Sequence, residues 1–295
     1  MSRRPRSSAA GVAYAAAAFL SWGLLPLYWK LLNEVPALQI MLNRIVWSLA
    51  FLILILTSRK SWGDIRTLLH HPKQLAILCC TACLISANWM IYIWAVNHGH
   101  IVESSLGYYI NPLITVFLGI VVLKETPNRW QILAMCLAAV AVTYSVIRMG
   151  SFPWIALSLA GTFALYGLLR KLASVESLLG LSAETALLAP FALGTLVWFG
   201  FRGELALGRE WRLDLLLAGA GVVTALPLIW FTCGTRRLQL STMGFLQYLA
   251  PTCQLLIGVL VYREPFSRNQ QATFALIWLA LLIFSMDALR QKKRS

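Results

Sequence analysis

The sequence predicts an all-α integral membrane protein with ten transmembrane helices arranged as two inverted five-helix repeats. Three observations carry this. The 295 residues are 59% hydrophobic and 12% charged, with a mean hydropathy of +0.71, far from the roughly 25% charged residues of an ordinary soluble domain. The apolar residues fall into ten runs, each near the roughly 20 residues that span a bilayer at 1.5 Å per residue. A stretch in the first half recurs in the second half, five runs later.

The runs cover about 9 to 29, 38 to 57, 74 to 95, 101 to 123, 130 to 147, 153 to 169, 181 to 200, 213 to 233, 240 to 262 and 270 to 289. They are spans 1 to 10 in this order. The first has a basic head that imitates a signal peptide, but its apolar stretch continues past Trp22 and Tyr28, so it is read as a retained span. The loops are short and leave no room for a separate soluble domain. Seventeen basic residues fall on the side that holds both termini and seven on the other, with Arg44 inside span 2. The positive-inside rule then places both termini in the cytoplasm. The same distribution assigns the net charge of +14 to membrane-flanking loops rather than to nucleic acid.

The six cysteines lie within apolar runs. Cys80-Thr81-Ala82-Cys83 is read as helix packing, because neither a second such pair nor a nearby histidine completes a zinc site. His70-His71 and His98-Gly99-His100 sit at run ends and are read as interfacial. No metal and no cofactor is expected.

The internal repeat is ungapped. At a constant offset of 139, Pro112 matches Pro251, Gly119 matches Gly258, Lys124-Glu125 matches Arg263-Glu264, Arg129 matches Arg268 and Gln131 matches Gln270. Five spans separate the copies, so they cross the membrane in opposite directions. Such repeats are frequent in secondary transporters, whose sites lie near the midplane where the repeats meet. The halves are residues 1–147 and 148–295.

Polar residues inside the spans are the candidate site. Ser105, Tyr108, Pro112, Thr115 and Gly119 recur at helical spacing, as do Gly244, Gln247, Pro251, Gln254 and Gly258, so spans 4 and 9 each carry one small-and-polar face. Close helix packing explains the end positions as well as substrate contact does. For Tyr108 and Gln247, beside the expected helix kinks at Pro112 and Pro251, a cavity is favoured because carbonyls freed by proline need partners. Glu103, Gly107 and Asn111 share a second flank of span 4. Glu103 suits a helix start, with substrate or proton handling as the other reading, and Asn111 suggests a bond to a neighbouring helix. Arg44, about a third of the way into span 2, is costly in lipid and is expected to face the bundle, paired with Glu103, Glu184 or an anionic substrate group. Glu184, near the start of span 7, could instead stay in interfacial water. Asn88 with Trp89, Tyr92 and Trp94 forms a polar and aromatic face on span 3. Lys124-Glu125 and Arg263-Glu264 read as membrane boundaries. Spans 5 and 10 have few polar groups and are placed at the periphery.

The segments NWMIYIWAVNHGHIVESSLGYYINPL (88 to 113) and GVAYAAAAFLSWGLLPLYWKLLNEVPALQIMLNRIVWSLAF (11 to 51), with the Lys-Glu after span 4, resemble the RarD group of EamA-type carriers in the drug/metabolite transporter superfamily. His98 stands where an asparagine is expected, and Lys124 where a glycine is common. The resemblance covers essentially the whole chain. It implies ten helices in two inverted repeats, a central cavity from spans 1 to 4 and 6 to 9, and a bacterial inner-membrane location. The expected activity is secondary transport of a small polar or amphipathic metabolite, outward, by alternating access. Proton coupling through Glu103 stays open. No G-x-x-x-x-G-K-[ST] motif occurs, so ATP is not the direct energy source. An intramembrane enzyme is disfavoured by the absence of H-E-x-x-H and G-x-S-x-G, and a non-transporting membrane partner or regulator is the alternative. The expected partners are a small-molecule substrate and the lipid bilayer, with no nucleic acid, and a homodimer stays open.

Overall fold

A computed structural model describes residues 9–124, 128–149, 152–173, 175–235, 237 and 246–294. The described residues form helices and no strands. The helices are α1 (Ala9–Lys30), α2 (Ala37–Arg59), α3 (Trp62–Leu69), α4 (Pro72–Asn97), α5 (Ile101–Leu123), α6 (Arg129–Met149), α7 (Trp154–Ala173), α8 (Ser177–Phe201), α9 (Trp211–Thr235), α10 (Leu249–Leu256), which runs into a π-helical turn Ile257–Val261, and α11 (Arg268–Arg294). Seven of them are long and apolar enough to cross a membrane, and Trp154–Arg170 and Leu249–Val261 are shorter apolar helices. Large side chains such as Phe191, Phe201, Ile147 and Leu260 project from the outer surface, as expected where lipid rather than water surrounds a bundle. The chain is an integral membrane protein.

Two parts depart from the sequence reading. The segment between α2 and α4 is a helix, α3, rather than a plain loop: eight residues are too few to show a helical period above the charge pattern. Span 9 is not one helix. Within its described part the chain turns at Tyr248, restarts as α10 and finishes as a π turn. Pro251 is the third residue of α10, where its missing N–H breaks no helical bond. The helical path is interrupted at Tyr248, within the turn that precedes Pro251, whereas Pro112 lies inside the uninterrupted α5. Glu125 and Gly244 lie outside the described residues.

The helices pack in definite pairs. The α5 helix lies along α7 and α1 along α10. The α4 helix lies along α7 and α1 along α9, while α2 meets both α8 and α9, and α6 lies along α11. The α6/α11 pair reaches the remainder chiefly through α5, in keeping with its polar-poor sequence. The larger core gathers Leu25, Trp29, Ile40, Ile93, Ile101, Leu159, Leu196 and Leu217. These come from the ends of α1, α4 and α8 and the starts of α2, α5, α7 and α9, so one end of the bundle is closed by a continuous apolar plug.

The flank Glu103, Gly107, Asn111 is the α5/α7 seam. Asn111 Nδ2 donates to the Ala160 carbonyl at 3.1 Å, the interhelical bond expected of it. A Cβ on Gly107 would stand 2.6 Å from the Ala156 carbonyl oxygen and 3.0 Å from its Cα. Backbone cannot yield as a side-chain tip can, so Gly107→Ala is expected to force the helices apart and cost about 1–3 kcal/mol. A melting temperature in detergent equal to that of the wild type would contradict this packing.

Matched positions of the sequence repeat adopt matching local structure. Lys124 and Arg263 both have left-handed backbones, with φ of 55° and 52°. Asn128 Oδ1 accepts from the Gln131 amide and Gln131 Oε1 from the Asn128 amide. Ser267 and Gln270 exchange the same two bonds at the start of α11. Both are capping boxes, in which two otherwise unpaired N–H groups are satisfied reciprocally.

Candidate functional site

The α4 helix turns Thr81, Ile85, Asn88 and Tyr92 to one side, and all four are buried. Their spacing of 4, 3 and 4 follows the helical repeat. This face supports two polar clusters, one at Thr81 and one from Asn88 to Tyr92, whose nearest members, Thr81 and Asn88, are about 10 Å apart along the helix at 1.5 Å per residue.

The first cluster is centred on Arg44 of α2, which is 4% exposed. Its guanidinium carbon lies 3.8 Å from the ring centre of Trp89 and 5.5 Å from that of Trp29, and the group faces Tyr92 and Tyr108. Tyr92 and Tyr108 meet edge to face at 5.7 Å, and Tyr108 meets Phe163 of α7 at 6.2 Å. Asn88 ties three helices: its Nδ2 donates to Leu159 O and Thr162 Oγ1, both at 2.9 Å, and its Oδ1 accepts from Tyr108 at 3.4 Å. Arg44 Nε, Tyr92 OH and Trp29 Nε1 are buried without a hydrogen-bond partner. Stacking on tryptophan compensates a guanidinium by about 2 kcal/mol when both are desolvated, but leaves its donors unused.

Neither expected carboxylate pairs with Arg44. Glu103 turns instead to the end of the bundle, 3.9 Å from His100 Nδ1 and beside the Ile155 and Ala156 amides at the start of α7. Helix start and carboxylate are matched there by the dipole. Glu184 centres the second cluster. It is 1% exposed, so interfacial water does not hold it. It accepts from Thr81 at 2.6 Å and Tyr166 at 3.3 Å, and lies 3.7 Å from Arg170 Nε. Gly180 is what admits Arg170, since a Cβ there would overlap the guanidinium. Tyr166 and Phe163 are 6.0 Å apart, so an aromatic row joins the two clusters.

On the other side of the bundle, Gln254 Nε2 donates to Trp22 O at 3.2 Å. Gly23 permits this approach, since its Cβ would stand 2.6 Å from Cys253 Cβ. Gln247 is half-buried in the helical residues just before the Tyr248 turn and joins neither cluster. Trp94 stacks with His98 at 4.6 Å and His100 at 5.7 Å, leaving the Asn88 face for the bundle end. Cys80 and Cys83 are exposed on the outside of α4, so they do not serve helix packing. Glu264 is not a surface boundary charge: it is 8% exposed and accepts from the amides of both Ile101 and Val102 at 2.9 Å. A cavity of about 570 Å³ lies at the same end, between Gln39, Glu34 and the Glu204 to Leu213 segment, away from Arg44. Among the described residues no cluster of three or more His, Cys, Asp or Glu could hold a metal ion.

The model of the EamA-like transporter family matches residues 9–147. A relative from Bacillus subtilis (strain 168), "Uncharacterized transporter YojE", is 47% identical over 97% of this chain and 96% of its own. "Protein RarD" of Escherichia coli (strain K12) is 42% identical over 97% of each chain. This chain is a RarD-type member of the EamA-like transporter family. "Chloramphenicol-sensitive protein RarD" of Pseudomonas aeruginosa is 33% identical over 97% of this chain and 96% of its own. A solved structure described as "Crystal structure of protein" covers 94% of this chain and 98% of that one, with a TM-score of 0.61 at 18% identity, a likeness of fold alone.

In this EamA-like transporter the left-handed backbone of Lys124 explains why a glycine suits that position: only glycine adopts φ near +55° without steric cost. The sequence reading missed Trp29, Thr81, Tyr166 and Arg170 as site-forming, and undervalued Glu184 and Glu264. Glu184 carried a usable signal, as a charged residue one turn inside an apolar run, whereas Arg170 stands one position past the end of span 6 and reads as a flanking charge. Trp29 carried none, being one of twelve tryptophans. Asn88→Ala is expected to destabilise the transporter by about 1–3 kcal/mol, since it leaves Tyr108 and the Thr162 hydroxyl without their buried partner. An unchanged thermal melt would show that the three-helix tie carries no stability.

Proposed function

We propose that this membrane transporter is a secondary active carrier that exports a small polar or amphipathic metabolite by alternating access around Arg44. Ten spans form two inverted repeats, the site lies where they meet, and both termini are in the cytoplasm of the inner membrane. The observation that carries this reading is a permanently charged guanidinium inside the bundle with no counter-charge among the described residues, an expensive arrangement in lipid unless it serves function.

Exchange of the two halves supports the repeat. It carries α1 to α7, α2 to α8, α4 to α9, α5 to α10 and α6 to α11, and the principal helix pairs map onto one another under it. The paired capping boxes and left-handed residues at an offset of 139 do likewise. The large apolar plug lies at the end opposite the basic loops, so this conformation is the one closed toward the outside.

The direct test is flux into proteoliposomes under two pH gradients for a library of metabolites, with chloramphenicol included because of the name of the Pseudomonas relative. Gradient-driven movement of one solute class supports the carrier. Folded protein that moves nothing and retains a specific membrane partner would replace it with a regulator. Glu103 has a partly buried carboxylate, 25% exposed, beside His100 and is assigned the coupling step. Glu103→Gln is expected to keep solute exchange while losing at least tenfold of the pH-gradient-driven rate, and equal losses in both would make Glu103 structural.

A further inference from the structure

We infer that the substrate is an organic monoanion, a carboxylate with an apolar or aromatic body, whose charged end is bound by Arg44. This rests on the carrier reading above and names its substrate class.

The argument is one of unmatched donors. Among the described residues, the carboxylates inside the bundle are already engaged: Glu184 by Thr81, Tyr166 and Arg170, Glu264 by two backbone amides. Glu103 is turned to His100. Around Arg44 the one side-chain amide acceptor, Asn88 Oδ1, is taken by Tyr108. The Ser48 hydroxyl, one turn along α2, is also buried without a partner. Among the groups stacked on or facing Arg44, what is left over is Arg44 Nε–H, Trp29 Nε1–H and Tyr92 OH, all buried and unpartnered. Two of these can only donate and the third can donate. Buried polar groups are paired as a rule, and an unpaired one requires an explanation. A neutral ligand would satisfy the donors but not the charge, and a cation would worsen both. An anion satisfies both at once, and a carboxylate presents two acceptor oxygens to a planar guanidinium. One uncompensated positive charge matches one negative charge, so a dianion would leave an excess in the low-dielectric interior. The faces of Trp29 and Trp89 supply the apolar wall that a ligand body needs.

The test uses ligands with the same ring body and anionic, neutral or cationic head groups. Purified full-length protein is titrated with benzoate, benzamide and benzylamine, and with indole-3-acetate and indole-3-acetamide, by thermal shift and equilibrium binding. At least one carboxylate is expected to bind, with its amide and amine at least tenfold weaker. Arg44→Gln should remove that preference, while Arg44→Lys, which keeps the charge but lacks the Nε–H, should retain part of it. Equal binding of carboxylate and amide to the wild type overturns the inference without reference to any variant, as does carboxylate binding unchanged in Arg44→Gln. Proteoliposome flux separates the two levels. A neutral or cationic solute carried in place of carboxylates defeats this inference and leaves the carrier standing, whereas no flux of any solute defeats both.

Discussion

Arg44→Leu is expected to abolish transport while changing the stability of the folded protein by no more than about 1 kcal/mol. The two halves of this result come from different physics. An arginine deep in a span costs about 2.5–3.5 kcal/mol on insertion scales, and the stacked Trp89 at 3.8 Å returns about 2 kcal/mol. Removing the charge recovers the remainder and loses some packing, so the changes nearly cancel. A structural arginine in a buried ion pair would behave differently, because its loss strands the partner carboxylate and costs about 3–5 kcal/mol. Thermal melting in detergent reads the first half and proteoliposome flux the second. A large drop in melting temperature would make Arg44 a structural residue, and full flux in a stable variant would remove it from the site.

The second large effect is expected at the closed end. Glu264→Ala should destabilise the protein by about 3 kcal/mol and raise hydrogen exchange at the Ile101 and Val102 amides at least tenfold. The Glu264 carboxylate satisfies two of the N–H groups that open α5, and hydrogen bonds to a charged group contribute about 1.5–3 kcal/mol each. The positive end of the helix dipole adds to them. Gly258 brings the π turn close enough for this contact, since a Cβ there would stand 3.1 Å from Val102 Cγ2. Glu264→Gln keeps an acceptor oxygen and should fall between the two. Unaltered exchange at both amides in the alanine variant would show that the clamp does not hold this end.

Spacing and polarity explain which parts of the site were legible. Asn88, Tyr92, Tyr108 and Arg44 stand out as polar groups in apolar runs, and the structure brings these four together. Asn111 could be assigned a bond to a neighbour, though not which one. The pairing of Arg44 could not be read, because either acid is compatible with a one-dimensional pattern and only helix rotation turned Glu103 to the α7 amides and Glu184 to Arg170. Glu264 looked like a boundary charge because its position follows the end of an apolar run. Its actual partners, Ile101 and Val102, are more than 160 residues away.

The sequence by itself determined that the chain lives in a membrane, roughly where its helices begin and end, and that its halves share a motif. Lipid imposes these features on local composition: every span must satisfy its own backbone and offer an apolar surface, and both demands are written residue by residue. The tertiary structure alone decided which polar groups meet. Contacts between helices depend on rotation and crossing as well as spacing, and at Gly23, Gly107 and Gly180 on the absence of a side chain that would otherwise hold partners apart. Thus the arginine was visible from the start, but its lack of a counter-charge among the described residues could be known only once the acids around it had been placed elsewhere.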